Sequence, residues 1–178
     1  MYVNGEWVGS KSGRFREVTN PATGEPIAEV PIALEDEVNM AVDAAEEAFK
    51  EWREIPLRDR IQYLYRLKYK FEEHLEELAR ILVQDHGRTY NEAVGSVRRS
   101  IENIESACAA AYTVAKGEHV DQIAKGIDQT LILEPLGVFT IITPYNIPVH
   151  AWSSFVPYAL ALGCTVVVSQ VHRLRNMR

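Results

Sequence analysis

Residues 135–169 read PLGVFTIITPYNIPVHAWSSFVPYALALGCTVVVS, and the order of signals in that stretch decides the fold class. Val138 to Thr143 is an uncharged run of β-formers, the pattern of a strand buried on both faces of a sheet. Thr143-Pro144-Tyr145-Asn146-Ile147-Pro148 follows as a loop stiffened by two prolines. Residues 150–163, HAWSSFVPYALALG, read as one helix ending at Gly163, a residue suited to a C-cap. Residues 164–169, CTVVVS, read as a second buried strand. Strand, helix and strand make a βαβ unit, which implies two parallel strands and a right-handed crossover.

The charge pattern sharpens this. The chain has 178 residues, 47% hydrophobic and 25% charged, which are globular proportions and exclude a collagen-like or wholly disordered protein. Its net charge of −6 argues against non-specific nucleic-acid binding. All 25 acidic residues lie at or before Glu134, and no formal charge follows until Arg173. A membrane span needs about 20 consecutive apolar residues, but Pro144, Pro148, Pro157, Asn146, His150 and Gly163 interrupt this segment. A buried sheet explains the composition better. Parallel sheets are normally covered on both faces and rarely stop at two strands. After Ser169 the chain continues as QVHRLRNMR, so another chain completes the unit, or these residues are the front part of a larger fold.

The first 134 residues read as hairpins followed by helices. Asn4-Gly5 sits between β-formers in YVNGEWV, and a second strand pair flanks NPATGEP: Glu17 to Thr19 before it, Ile27 to Val30 after. From Glu35 to Trp52, Val38, Val42, Ala45, Phe49 and Trp52 recur at helical spacing. Leu57, Ile61, Leu64, Leu67, Phe71, Leu75, Leu78 and Leu82 extend one stripe across a kink near His74, ending at Gly87. Thr89 and Glu92 have the spacing of a capping box. They open a third helix with Val97, Ile101, Ile104, Cys108 and Ala111 on one face. Asp128 to Leu133 reads as a further strand.

Most chemical signatures are missing from the sequence. Cys108 falls on an apolar helix stripe, and Cys164 opens a buried strand with no cation beside it in sequence. Both read as reduced thiols of a cytoplasmic protein, and the N-terminus lacks the pattern of a secretion signal. His74, His86, His119, His150 and His172 show no metal-ligand spacing, so no metal site is expected. There is no G-x-G-x-x-G and no Walker loop. The carboxylates fall on solvated helix faces, and Tyr63, Tyr65 and Tyr69 read as packing residues. The exception is the loop from Ile142 to Pro148. It leaves the carboxyl end of a parallel strand, where ligands bind in open α/β sheets. An amide fixed between prolines, Asn146, can stabilise an oxyanion; an ordinary proline turn with a self-bonded asparagine explains the same residues.

Several segments in order carry a resemblance: NGEWV, NPATGEPIAEVP, AVDAAEEAF before Trp52, HGRTYNEAVGSV, EPLGV, and ITPYNIP followed by ALALGCTVVV. Over residues 1–169 the chain resembles the N-terminal part of the aldehyde dehydrogenase superfamily. ACAAAYTVAKGE, IAKGID and Tyr145 resemble its methylmalonate-semialdehyde dehydrogenase branch. The resemblance implies a partial α/β fold: helices on an incomplete Rossmann-like parallel sheet, N-terminal hairpin strands, and an oligomerisation ribbon at about 118–135. It implies NAD as cofactor, with Ile142, Thr143, Pro144 and Tyr145 beside the nicotinamide ribose. Asn146 falls on the oxyanion-hole asparagine of a reaction in which a cysteine thiolate attacks the aldehyde. Arg99 falls where the branch carries an arginine, suited to a substrate carboxylate; a solvated helix arginine is the plain alternative.

The departures bear on activity. The family's ribose-binding lysine is replaced by Ser169, and Cys164 stands where an asparagine is usual. Residues 170–178 read as an unrelated basic tail, as a frameshift or early stop would leave. The nucleophilic cysteine and general-base glutamate are not in the sequence. The expectation is an aldehyde dehydrogenase truncated before its catalytic domain and inactive alone. The alternatives are a non-enzymatic assembly module, joined to copies of itself or to a full-length relative through segment 135–171, residual nucleotide binding, or an enzyme completed by a second polypeptide.

Overall fold

In the N-terminal hairpin, Tyr2–Val3 (β1) pairs antiparallel with Glu6–Trp7 (β2) across Asn4-Gly5, both of positive φ as an inward-twisting two-residue turn requires. A computed structural model describes residues 1–170; the expected tail at 170–178 lies, beyond Gln170, outside the described residues. Phe15–Thr19 (β3) and Pro26–Pro31 (β4) form a second hairpin around the NPATGEP turn.

Four helices follow. Glu35–Trp52 (α1) opens on Glu37, whose carboxylate accepts from the Leu34 and Lys11 amides at 2.7 and 2.6 Å and from the Ser10 hydroxyl. This is half a capping box, because a leucine side chain cannot accept the reciprocal bond. Glu37 is 7% exposed, so one carboxylate departs from the solvated-face expectation and ties the N-terminal segment to the helix. Leu57–Glu73 (α2) and Leu75–His86 (α3) meet at His74, where the stripe was expected to kink. Gly87 ends α3 at φ +73°, and a β-carbon there would lie 2.8 Å from Pro21 of the β3–β4 turn. Tyr90–Val114 (α4) begins with the expected capping box, completed by reciprocal Thr89 and Glu92 bonds. Its Val97, Ile104, Cys108 and Ala111 pack with Ile61 and Leu64 of α2 and Ala79 and Leu82 of α3 into the core. The stripe of α1 is less covered: Val38 is exposed and Phe49 half-buried.

Glu118–Ala124 (β5) and Ile127–Leu131 (β6) make an antiparallel ribbon, exposed along its whole length. The second strand therefore starts one residue earlier and ends two earlier than expected. Val138–Thr143 (β7) and Thr165–Gln170 (β8) then pair in parallel, register Val138 with Thr165. The Thr165 hydroxyl donates to the Ala45 carbonyl, which docks β8 on α1.

Three details differ from the sequence expectation. The helix between the strands is two, Pro148–Ser153 (α5) and Val156–Ala161 (α6), broken at Ser154-Phe155. Pro157 supplies no N–H for the Ser153 carbonyl and disfavours helical geometry just before it. The end at Gly163 is as expected: the Cys164 amide bonds Ala159, and the Gly163 amide bonds Leu160. Second, β7 is not buried on both faces. Among its six residues only Thr143 is buried, and Phe139 and Ile142 are 40% and 67% exposed. Third, β8 is buried at its start and exposed from Val168 onward. Among the described residues β7 and β8 have no strand neighbours but each other, so their outer edges lack cover.

Candidate functional site

The loop leaving β7 carries the residues singled out from sequence. Ile142 and Thr143 end the strand; Pro144, Tyr145 and Asn146 form the exposed bend; α5 begins at Pro148. Thr143 is buried and its hydroxyl points to the Ser169 carbonyl at 3.4 Å, linking the carboxyl ends of both parallel strands. Ile142 and Tyr145 present apolar surface to solvent beside it. Pro144 and Pro148 have no amide hydrogen, so the bend has few internal hydrogen bonds available.

The bend is tied down from a distance. Arg88, in the α3–α4 connection, donates from Nη2 to the Asn146 carbonyl at 2.5 Å, from Nη1 to the Ser96 hydroxyl at 2.6 Å, and from Nε to His86 Nδ1 at 3.1 Å. Asn103 on α4 supports α5: its amide donates to the hydroxyls of Ser153 and Ser154 and faces His150 Nδ1. Burial, and then the Arg99 and Arg88 charges, hold His150 below the ordinary imidazole pKa. Burial and Arg88 do the same to His86, against the opposing pull of Asp85. Arg99 itself is exposed on α4 and its charge acts on His150 of α5. Local sequence does not reveal that Arg88 meets the bend, because Asn146 is 58 residues from Arg88.

The cysteines lie elsewhere. Cys108 is buried between α2 and α4, and burial pushes its thiol above the ordinary range. Cys164 precedes β8, at the end of the sheet opposite the bend, roughly 20 Å away by strand rise. The sequence shows no cation near it, but folding brings Arg60 of α2 beside it. Arg60 is 8% exposed and donates to the carbonyls of Ala161 at 3.1 Å and Ile55 at 2.5 Å, so its charge locks α6 to the α1–α2 loop.

Arg60 and Cys164 also line an apolar groove of about 900 Å³ with Leu136, Phe155 and Tyr158. Four consecutive residues, Phe139 to Ile142, border it. Alternate strand residues point to opposite faces, so the groove follows the free edge of β7. Among the described residues, no group of three or more His, Cys, Asp or Glu is arranged to hold a metal, and no helix is long and apolar enough to cross a membrane.

The sequence profile of the aldehyde dehydrogenase family matches residues 7–171. The chain belongs to the aldehyde dehydrogenase family. It is 43% identical over 172 residues to malonate-semialdehyde dehydrogenase 2 of Geobacillus kaustophilus, a match that covers 97% of this chain and 35% of that enzyme. The crystal structure of methylmalonate-semialdehyde dehydrogenase from Oceanimonas doudoroffii superposes with a TM-score of 0.91 at 35% identity, over 97% of this chain and 35% of that one. A point mutant of betaine aldehyde dehydrogenase from Staphylococcus aureus, in complex with NAD+, superposes with a TM-score of 0.89 at 30% identity, over 95% and 35%. The chain thus spans about a third of the length of the relatives it matches, and its architecture is part of the aldehyde dehydrogenase fold.

The fit of this site to NAD is partial. Exposed Ile142 and Tyr145 at the carboxyl end of a parallel strand suit a flat ring and its ribose. Among the described residues no glycine-rich turn follows β7, and α5 is six residues beginning with proline, so no row of amides is offered to a pyrophosphate.

Proposed function

We propose that these residues form the cofactor-side and oxyanion part of an aldehyde dehydrogenase acting on a small semialdehyde, with NAD as cofactor. The observation that carries this is the Asn146 bend, held at the carboxyl end of β7 by a three-way arginine bridge. Ile142, Thr143, Pro144 and Tyr145 form the strand end and bend that would lie along the nicotinamide ribose, and NAD+, when bound, would supply the hydride acceptor. Asn146 donates its amide to the oxygen of the aldehyde as a thiolate attacks the carbonyl carbon, and charge develops on that oxygen in a fixed rather than reorganising environment. With a nucleophilic thiolate and NAD+ supplied, hydride would pass from the adduct to the cofactor and the resulting thioester would be released to water or to a CoA thiol. Arg99, exposed on α4, offers a bidentate partner to the carboxylate of the semialdehyde.

The nucleophile is not among these 178 residues: Cys108 is sealed in the helical core and Cys164 lies at the wrong end of the sheet. The 178-residue polypeptide alone therefore binds cofactor weakly and does not oxidise aldehydes. Residues 1–169 act as one cofactor-side unit in the cytoplasm, the ribbon within 118–135 mediates oligomerisation, and segment 135–171 meets a copy or a full-length relative.

A second reading is favoured by the groove along β7. Apolar surface of that extent beside an unpaired strand edge drives association, so an assembly role without catalysis also accounts for the chain. Calorimetric titration with NAD+ separates the two. Saturable heat that disappears in Asn146→Ala or Tyr145→Ala supports the cofactor role; no heat at millimolar NAD+ leaves assembly. Any NAD+-dependent oxidation of malonate semialdehyde by the purified polypeptide would refute its inactivity.

A further inference from the structure

We propose that Arg88 is a positioning residue, setting the conformation of the Asn146 bend from the α3–α4 connection. The proposal rests on the cofactor and oxyanion reading above, but its geometry is independent of that reading. The bend is exposed and poor in donors, because prolines stand at both of its ends. Its carbonyl at Asn146 accepts from a guanidinium that is itself fixed on its two remaining nitrogens, by Ser96 of α4 and His86 of α3. A planar fork held at all three nitrogens has little rotational freedom, which a single-point ammonium cannot reproduce.

The position of Arg88 is in turn set by its neighbours. Gly87 holds the left-handed geometry that turns the chain out of α3, and the Pro21 ring packs where any side chain at 87 would have to go. The NPATGEP turn, otherwise remote from the chemistry, thus braces the residue before Arg88. Thr89 then caps α4 immediately after it. Arg88 therefore stands between a packed glycine and a helix cap, and its Nη2 grips the peptide plane of Asn146 and Ile147 while Nε and Nη1 hold His86 and Ser96. That plane begins at the Asn146 Cα, which bears the Asn146 side chain and joins the backbone of Tyr145, so its position bears on both.

The test uses isotope-labelled polypeptide in four forms: wild type, Arg88→Gln, Arg88→Lys and Ser96→Ala. The Asn146 carbonyl carbon and Ile147 amide nitrogen report the hydrogen bond to that peptide plane directly, and NAD+ affinity is measured alongside. Arg88→Gln is expected to shift both resonances and weaken NAD+ binding about tenfold. Lysine is expected to restore part of each, and Ser96→Ala to shift the same resonances less. Unmoved resonances in folded Arg88→Gln would overturn the proposal, as would shifted resonances with wild-type NAD+ affinity. Should Arg88→Gln fail to fold, Ser96→Ala decides on the same two signals. If wild type binds no NAD+, the cofactor reading falls, and shifted resonances still uphold the grip of Arg88 on the bend.

Discussion

Helix α4 carries five charged residues and strand β7 carries none, yet it is the helix that is buried. α4 buries eight of its 25 residues, whereas β7 buries one of six. The difference lies in their partners. Two helices, α2 and α3, lie alongside α4 within the same stretch of chain. β7 has one strand partner, β8, and a groove on its other edge. Hydrophobicity states how much cover an element needs; the chain at hand decides how much it receives. The stability of these residues therefore resides in the helical layer, and the reactive surface in the strand layer.

The contrast can be broken hardest at Ile104. Ile104→Ala opens a cavity at a fully buried site and should cost about 2–5 kcal/mol in urea denaturation. Phe139→Thr in β7 should change stability by less than about 0.5 kcal/mol, while reducing self-association in sedimentation runs. A large loss at Phe139 would mean that β7 is covered in solution. The next effect is at the joint between layers. Arg60→Ala leaves the Ala161 and Ile55 carbonyls without their donor and should cost about 1–3 kcal/mol, read from the shift in denaturation midpoint. Thr89→Ala removes the α4 cap at a cost of about 1 kcal/mol, with the same readout.

The smallest effect is a pH dependence centred on the site. His150 and His86 have folded pKa values below the ordinary 6.5, so the unfolded chain binds protons that the folded chain refuses. Stability should therefore fall as pH drops through 6.5 towards the depressed folded values, and be fully present above it. His150→Gln should flatten that slope in part. An unchanged slope would show that His150 is solvated in the folded chain.

The element types along the chain were legible because they rest on local physics. The Asn4-Gly5 turn, the cap at Thr89, the kink at His74 and the stop at Gly163 each depend on a few adjacent residues. The break in the helix at 148–161 was not read from the sequence, where apolar periodicity predicts one continuous helix and was weighed above the missing amide of Pro157. The candidate bend at Ile142–Asn146 was visible as residues, and its place at a strand's carboxyl end followed from the βαβ order. Its supports were not visible. Arg88, Ser96 and Asn103 are ordinary polar residues of a helix and its approach until the fold sets Arg88, backed by Ser96, against the loop and Asn103 against α5, some 50 residues away.

By itself, then, the sequence determined most of the strands and helices and the parallel pairing, which follow from spacing, capping and turn chemistry within short windows; the family came instead from the resemblance of several segments in order. Tertiary structure alone decided that Arg60 sits beside Cys164, that Glu37 is buried, that β7 stands half open, and that Arg88 grips Asn146. Each is a contact between distant parts of the chain, and the energy of such a contact depends on which surfaces packing has already brought together.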